Sequence, residues 1–224
     1  MFSFLDSILV FIFISIITIT ILCVNNIMDN AKSKAFIVET KNNITQIKLF
    51  KEKYKFLPGD LPFAQKFFNN VQNGNGNELV EDHKETFFAW QHLSVAKLIN
   101  SNFTNFNLTY AKIYANMQYS NNSLCGYQII ADSKLNNIFY NLDEKSNFLR
   151  IALDKGFGNL TKSCLSSAES HRIDVKLDDG LPVSGNILAD NGYNKNGCIC
   201  ILTLDYAYCK DTTDKKCILQ YNIK

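Results

Sequence analysis

No proline interrupts the first 57 residues of this 224-residue chain; its three prolines, Pro58, Pro62 and Pro182, all come later. Nothing in that stretch forces a helix to stop. An excess of one charge is missing too: the formal net charge is +2, too small for nucleic-acid binding by bulk electrostatics, and no nucleic-acid partner is expected. Catalytic signatures are also lacking. His83, His92 and His171 are scattered without an HExxH pattern, and neither GxSxG nor a phosphate-binding loop occurs, so no enzymatic activity is expected. Cys198-Ile199-Cys200 is not a CxxC knuckle and no His follows it, which argues against zinc.

What is there begins at once. Phe2 to Val24 is an almost uninterrupted apolar run, broken only by small polar residues and one carboxylate, Asp6. As a helix it is long enough to cross a hydrocarbon core of about 30 Å. It lacks the basic start and small-residue cleavage site of a secretory signal. Residues 1–24 are therefore expected to be a single transmembrane segment. An acid so near the start of the span must sit at the headgroups or find a partner, and the α-amino group of a neighbouring chain is a suitable one.

The run continues without a breaker into an amphipathic stem, residues 25–57. Ile37, Ile44, Ile47, Phe50, Tyr54 and Leu57 recur at three- and four-residue intervals, which predicts a helix continuous with the anchor, from about residue 3 to 56 and roughly 80 Å long. Pro58-Gly59 is expected to end it. Lys32, Lys34, Lys41, Lys48, Lys51, Lys53 and Lys55 make the stem locally basic, and a solvated helix face is the preferred reading of them.

Residues 58–224 are expected to form one α+β head. Asp60 can cap a short helix with Pro62 near its start, and Asn73 to Asn77 is a loop. Residues 82–100 are expected to be a helix against the stem, with Trp90 a buried anchor and His92 a hydrogen-bonded core residue. Leu124–Ala131 and Ile138–Leu142 are expected to pair as a hairpin, Ser146 to open a short helix closed by Gly156, and Ser166 to open another through a capping box with Glu169, ending at Asp178-Asp179-Gly180. Strands are expected over Asn186–Ala189, Cys198–Leu204 and Cys217–Ile223. Six of the seven cysteines, Cys125, Cys164, Cys198, Cys200, Cys209 and Cys217, fall in the head, which points to an oxidising compartment with 15 possible connectivities. Cys23, in the anchor, is expected to be a free thiol.

These residues resemble the type IV pilin-like proteins, and within them the pseudopilins of type II secretion and related prepilin-type proteins. Phe2-Ser3-Phe4-Leu5-Asp6 is similar to the start of the mature pilin helix. Tyr54 to Pro62, with Pro58, Gly59 and Asp60, resembles the motif that ends that helix in one subgroup. Ala89-Trp90-Gln91-His92-Leu93 and Ile173 to Pro182, with Asp174, Asp178, Asp179 and Gly180, are similar to two later motifs of that subgroup. The resemblance spans the chain and implies a pilin-like fold and a structural subunit of a pilus or pseudopilus filament. It implies cleavage of a basic leader before Phe2 by a prepilin peptidase, which methylates Phe2; in the sequence Met1 precedes Phe2. It further implies Asp6, in place of the family's Glu, as the docking group for a neighbour's amino terminus. The implied partners are like or related subunits, an inner-membrane assembly platform with its motor ATPase, and the membrane itself.

Lys32 and Lys34 follow the span and no basic residue precedes it, which by the positive-inside rule favours an external amino terminus. The cysteines and the resemblance imply the reverse, an inner-membrane anchor with a periplasmic head, and take precedence. No cofactor is expected except calcium, which some major pseudopilins hold. The weak candidates are Asn73, Asn75, Asn77, Glu78, Glu81 and Asp82 in the loop, and Asp174, Asp178 and Asp179 after the late helix. A solvated turn and helix termination, with Asp174 on the helix surface, are the preferred readings. The alternative function is a membrane-tethered periplasmic binding module that does not polymerise; an anchored hydrolase is weaker.

Overall fold

The computed structural model describes residues 4–81, 85–103, 116–121, 123–132, 146–154, 159–191, 197–201, 205–209 and 214–223. Helix α1 runs Phe4–Tyr54, 51 residues without interruption, about 77 Å at 1.5 Å per residue. Its two parts meet different surroundings. Phe11, Phe13, Ile17 and Leu22 are more than half exposed, whereas Phe36, Ile37, Ile44, Ile47 and Phe50 are buried. Among the described residues no helix is long and apolar enough to cross a membrane.

The expected end of α1 at Pro58-Gly59 is corrected. The helix stops at Tyr54 because Lys55 takes a left-handed backbone, φ +66°, which turns the chain so that Leu57 and Leu61 enter the core. Tyr54 closes this corner, its ring 5.4 and 5.3 Å from those of Phe67 and Phe68.

Behind α1 lies a mixed head, which bears out the α+β expectation. The helices are α2 (Ala64–Phe67), α3 (Glu85–Val95) and α4 (Ser167–Leu177). The strands are β1 (Gln118–Tyr119), β2 (Gly126–Asp132), β3 (Ser146–Ala152), β4 (Ile187–Asp190), β5 (Ile199–Ile201), β6 (Tyr206–Tyr208) and β7 (Ile218–Asn222). Five form an antiparallel sheet in the order β1-β2-β3-β7-β4, and β5 pairs with β6. The register aligns Tyr127, Ile151, Leu219 and Ala189 in one row and Ile129, Leu149, Tyr221 and Ile187 in the next on the same face. That face meets α1: the Tyr127 hydroxyl lies 3.0 Å from Thr40 Oγ1 and its ring stacks on Phe36. In the alternate register Gln128, Arg150 and Gln220 form a buried polar row. With its amide oxygen toward Arg150, Gln220 accepts from Nε and Nη2, both at 3.0 Å.

Several boundaries differ from expectation for local reasons. Ser146 opens β3 rather than a helix, because Phe148, Leu149 and Ile151 pair with β2 on one side and β7 on the other. The partner of β2 is therefore β3; Ile138–Leu142, Gly156 and residues 202–204 lie outside the described residues. Helix α3 stops at Val95, well before residue 100. Lys97 is left-handed at φ +57°, and Leu98 N donates to Leu93 O at 3.0 Å and Lys97 N to Ser94 O at 2.9 Å, the double closure of a Schellman end. Helix α2 has Phe63 and not Asp60 at its cap. The capping box of Ser166 and Glu169 is formed as expected.

Three disulfides staple the head: Cys125–Cys164, Cys198–Cys217 and Cys200–Cys209, closing 39, 19 and 9 residues. Cys23 is free and exposed. Loop-closure entropy ranks the bridges. Replacing Cys125 and Cys164 together by serine is expected to cost about 4 kcal/mol, against about 3 for the Cys200/Cys209 pair. Denaturant titration of the two double variants checks this order.

Candidate functional site

Gly59, Asp60, Trp90 and His92 come together around the Asn/Gly loop. Asp60 is buried, and its carboxylate accepts from three successive backbone amides of that loop: Gly76 at 2.8 Å, Asn77 at 3.1 Å and Glu78 at 2.9 Å. Glu85, at the start of α3, completes the clamp by accepting from Asn75 N at 2.7 Å and Glu81 N at 2.9 Å. Burial pushes both carboxyls above their ordinary range, only partly countered by these amides.

His92 joins the two sides of the clamp. Its Nδ1 accepts from Gly59 N at 3.0 Å, so Nε2 carries the proton toward the Gln72 carbonyl at 2.8 Å. Burial lowers it to about 4. Gly59 has φ +99°, and a Cβ there would lie 2.6 Å from the Glu85 carbonyl, so only glycine fits. Trp90 donates from Nε1 to Tyr127 O at 2.8 Å, and Gln91 from Nε2 to Asn70 O at 3.2 Å. Pro58 is buried beside them and Pro62 packs on Gly76. This set, Tyr54 included, holds the loop and the corner of the head.

The side-chain oxygens of the loop's asparagines hold backbone amides of the loop and of α2. Asn73 Oδ1 accepts from Gln65 N at 3.1 Å, Asn75 Oδ1 from Asn77 N at 2.9 Å and Asn77 Oδ1 from Leu79 N at 3.0 Å. Glu78 takes a left-handed backbone there, and its N–H is held by Asp60. Asp82 and His83 lie outside the described residues.

Asp174, Asp178 and Asp179 do converge, their oxygens within 4.8 Å of one another. Asp174 is fully buried, which corrects its expected place on the helix surface. It accepts from Gly180 N at 3.2 Å and from the Tyr208 hydroxyl at 2.7 Å. Asp178 accepts from the backbone amides of Asn186 and Ile187 and from Asn186 Nδ2. Asp179 accepts from Leu181 N at 2.9 Å and Ser184 Oγ at 2.6 Å. All six oxygens already take a donor from the chain. These bonds clamp the turn at the end of α4.

Of the remaining candidates one lies on α1. Asp6 is on the first turns of that helix, and Phe2 lies outside the described residues. Exposed large apolar side chains follow, from Ile8 through Val24 to Met28, on every side of the helix. Sequence reasoning missed Glu85 as the second arm of the clamp and Tyr208 as the partner of Asp174. The first had a signal, an acid opening a helix just after an Asn/Gly loop; the second, 34 residues distant, had none. No family model, curated protein or solved structure matches this chain.

The buried acid and the buried histidine oppose each other in pH dependence. Burial, with Asp178 and Asp179 nearby, raises Asp174 from 3.8 to about 6, so the folded state binds its proton more tightly than the unfolded state. That contribution strengthens as pH falls from about 6 toward 4. His92, lowered from 6.5 to about 4, stays neutral in the fold while the unfolded histidine takes a proton, and stability is lost over nearly the same window. Asp174→Asn keeps an acceptor for Gly180 and removes the gain. Its unfolding free energy should then fall by up to about 3 kcal/mol between pH 7 and 4, more steeply than wild type, in denaturant titrations.

Proposed function

We propose that this chain is a structural subunit of a type IV pilus-like or type II secretion pseudopilus filament, anchored in the inner membrane and assembling through α1. The observation that carries this reading is the division of one continuous helix: its second part is buried in the head, while its first part presents apolar side chains on all sides. A helix apolar all round is covered either by lipid or by other such helices. A filament subunit needs both covers in turn, lipid before assembly and neighbouring helices after it.

The described side chains run from Ile8 to Val24, 17 residues, about 26 Å of helix and short of a bilayer core by themselves. The sequence run starts at Phe2, and its full 23 residues would reach about 35 Å. Three disulfides favour a periplasmic head. The resemblance supplies the partners: like or related subunits, an assembly platform with its motor ATPase, and a prepilin peptidase acting at Phe2. The head contributes shape and a rigid surface.

Asp6 is the one carboxylate in the apolar run, and pairing with a neighbour's amino terminus would remove the cost of a lone charge there. Asp6→Ala is expected to insert in the native membrane as wild type does, resisting alkaline extraction, while its share of sheared filaments falls to background. Normal incorporation of the variant would contradict the docking role. Insertion of both proteins without any polymer of either would favour a tethered binding module.

A further inference from the structure

We propose that the cleft between α1 and the first turns of α4 receives the phosphate of an anionic phospholipid headgroup, from the leaflet through which α1 leaves the membrane. The proposal rests on the membrane-anchored reading above. The cleft, about 450 Å³, is bordered by Lys32, Leu124, Glu169, Arg172 and Lys215.

Position is the first reason. Lys32, Ser33 and Phe36 line the cleft, and Phe36 is the first buried residue of α1 among those described. The cleft therefore sits at the base of the head, where it meets the projecting part of the helix. Lys32 is eight residues beyond Val24, about 12 Å along the axis. The headgroup layer reaches about 5–7 Å past the hydrocarbon, and a lysine side chain spans the remainder by extending toward it.

Chemistry is the second. Three cations line the cleft against one carboxylate, Glu169, which Lys215 already holds. Glu169 also accepts from Ser166 N at 2.8 Å. Lys32 and Arg172 have no such partner among the described residues. Arg172 Nε is buried and has no acceptor among the described residues, an orphan that costs stability and leaves the guanidinium without an anionic partner. A phosphate diester offers the planar guanidinium two acceptor oxygens at once, which suits arginine better than a point-charge partner. Leu124, on the rim, is 78% exposed and supplies an apolar contact for the lipid's glycerol and upper acyl chain. The Cys125–Cys164 bridge fixes the cleft wall beside it.

The test uses the full chain in nanodiscs of phosphatidylcholine alone or mixed with phosphatidylglycerol, with hydrogen exchange read at amides 123–125 and 165–173. Phosphatidylglycerol is expected to slow exchange there by roughly tenfold, since each cation near an anionic surface contributes about fivefold in affinity. The double variant Lys32→Gln, Arg172→Gln should lose that difference while melting no lower than wild type and inserting as it does. Equal exchange in both lipids, or an unchanged difference in the variant, would overturn the proposal. The same protection produced by inorganic phosphate in phosphatidylcholine discs would overturn it in favour of a free anion. Extraction of the wild-type chain from both discs at alkaline pH would defeat the anchored reading itself, an outcome separate from the exchange result.

Discussion

One continuous helix with two differently covered parts is the constraint on which the rest of this molecule depends. Helix α1 runs unbroken for 51 residues, and its hydrogen-bonded backbone can cross from an apolar to an aqueous medium without leaving a peptide group unpaired. Only its side chains need change. They do so over twelve residues: Val24 is followed by Asn25-Asn26, and buried contacts with the head begin at Phe36. Because the two parts are one rigid element, whatever draws the apolar part into an assembly carries the head with it.

The head is built to hold that helix firmly. Tyr127 bonds to Thr40, Trp90 to the Tyr127 carbonyl, and His92 to Gly59 just past the end of α1. The first ties β2 to the stem, the second α3 to β2 and the third α3 to the corner, and together they fix one register between helix and sheet. Three disulfides brace the carboxy-terminal half. The acids Asp60, Glu85 and Asp174 are spent on backbone amides of loops that a small head could not otherwise immobilise.

How much of this was legible in the sequence follows from the range of the interactions. The stem stripe, the capping box at Ser166 and the loop at Asn73–Asn77 are local patterns, and the structure has them where they were read. The strand at Ser146–Ala152 was misread because a serine before mixed residues also resembles a helix cap; pairing with β2 and β7, remote in sequence, decides it. Asp60 was read as a cap for a like reason, its true partners lying 16 to 18 residues ahead. The left-handed turns at Lys55 and Lys97 are taken by lysine, not glycine, so no residue type announced them. The cysteine pairing was open among 15 connectivities and needed the fold to settle it.

Assembly through α1 is tested most directly by the chain's own free thiol. Cys23 is exposed on the apolar part of the helix, while the other cysteines are paired. A short membrane-permeant bismaleimide applied to native membranes and sheared material should give a crosslinked dimer, since each chain offers one free thiol, and the dimer should be lost in Cys23→Ser. Monomer alone, from intact and efficiently labelled protein, would contradict assembly through this helix.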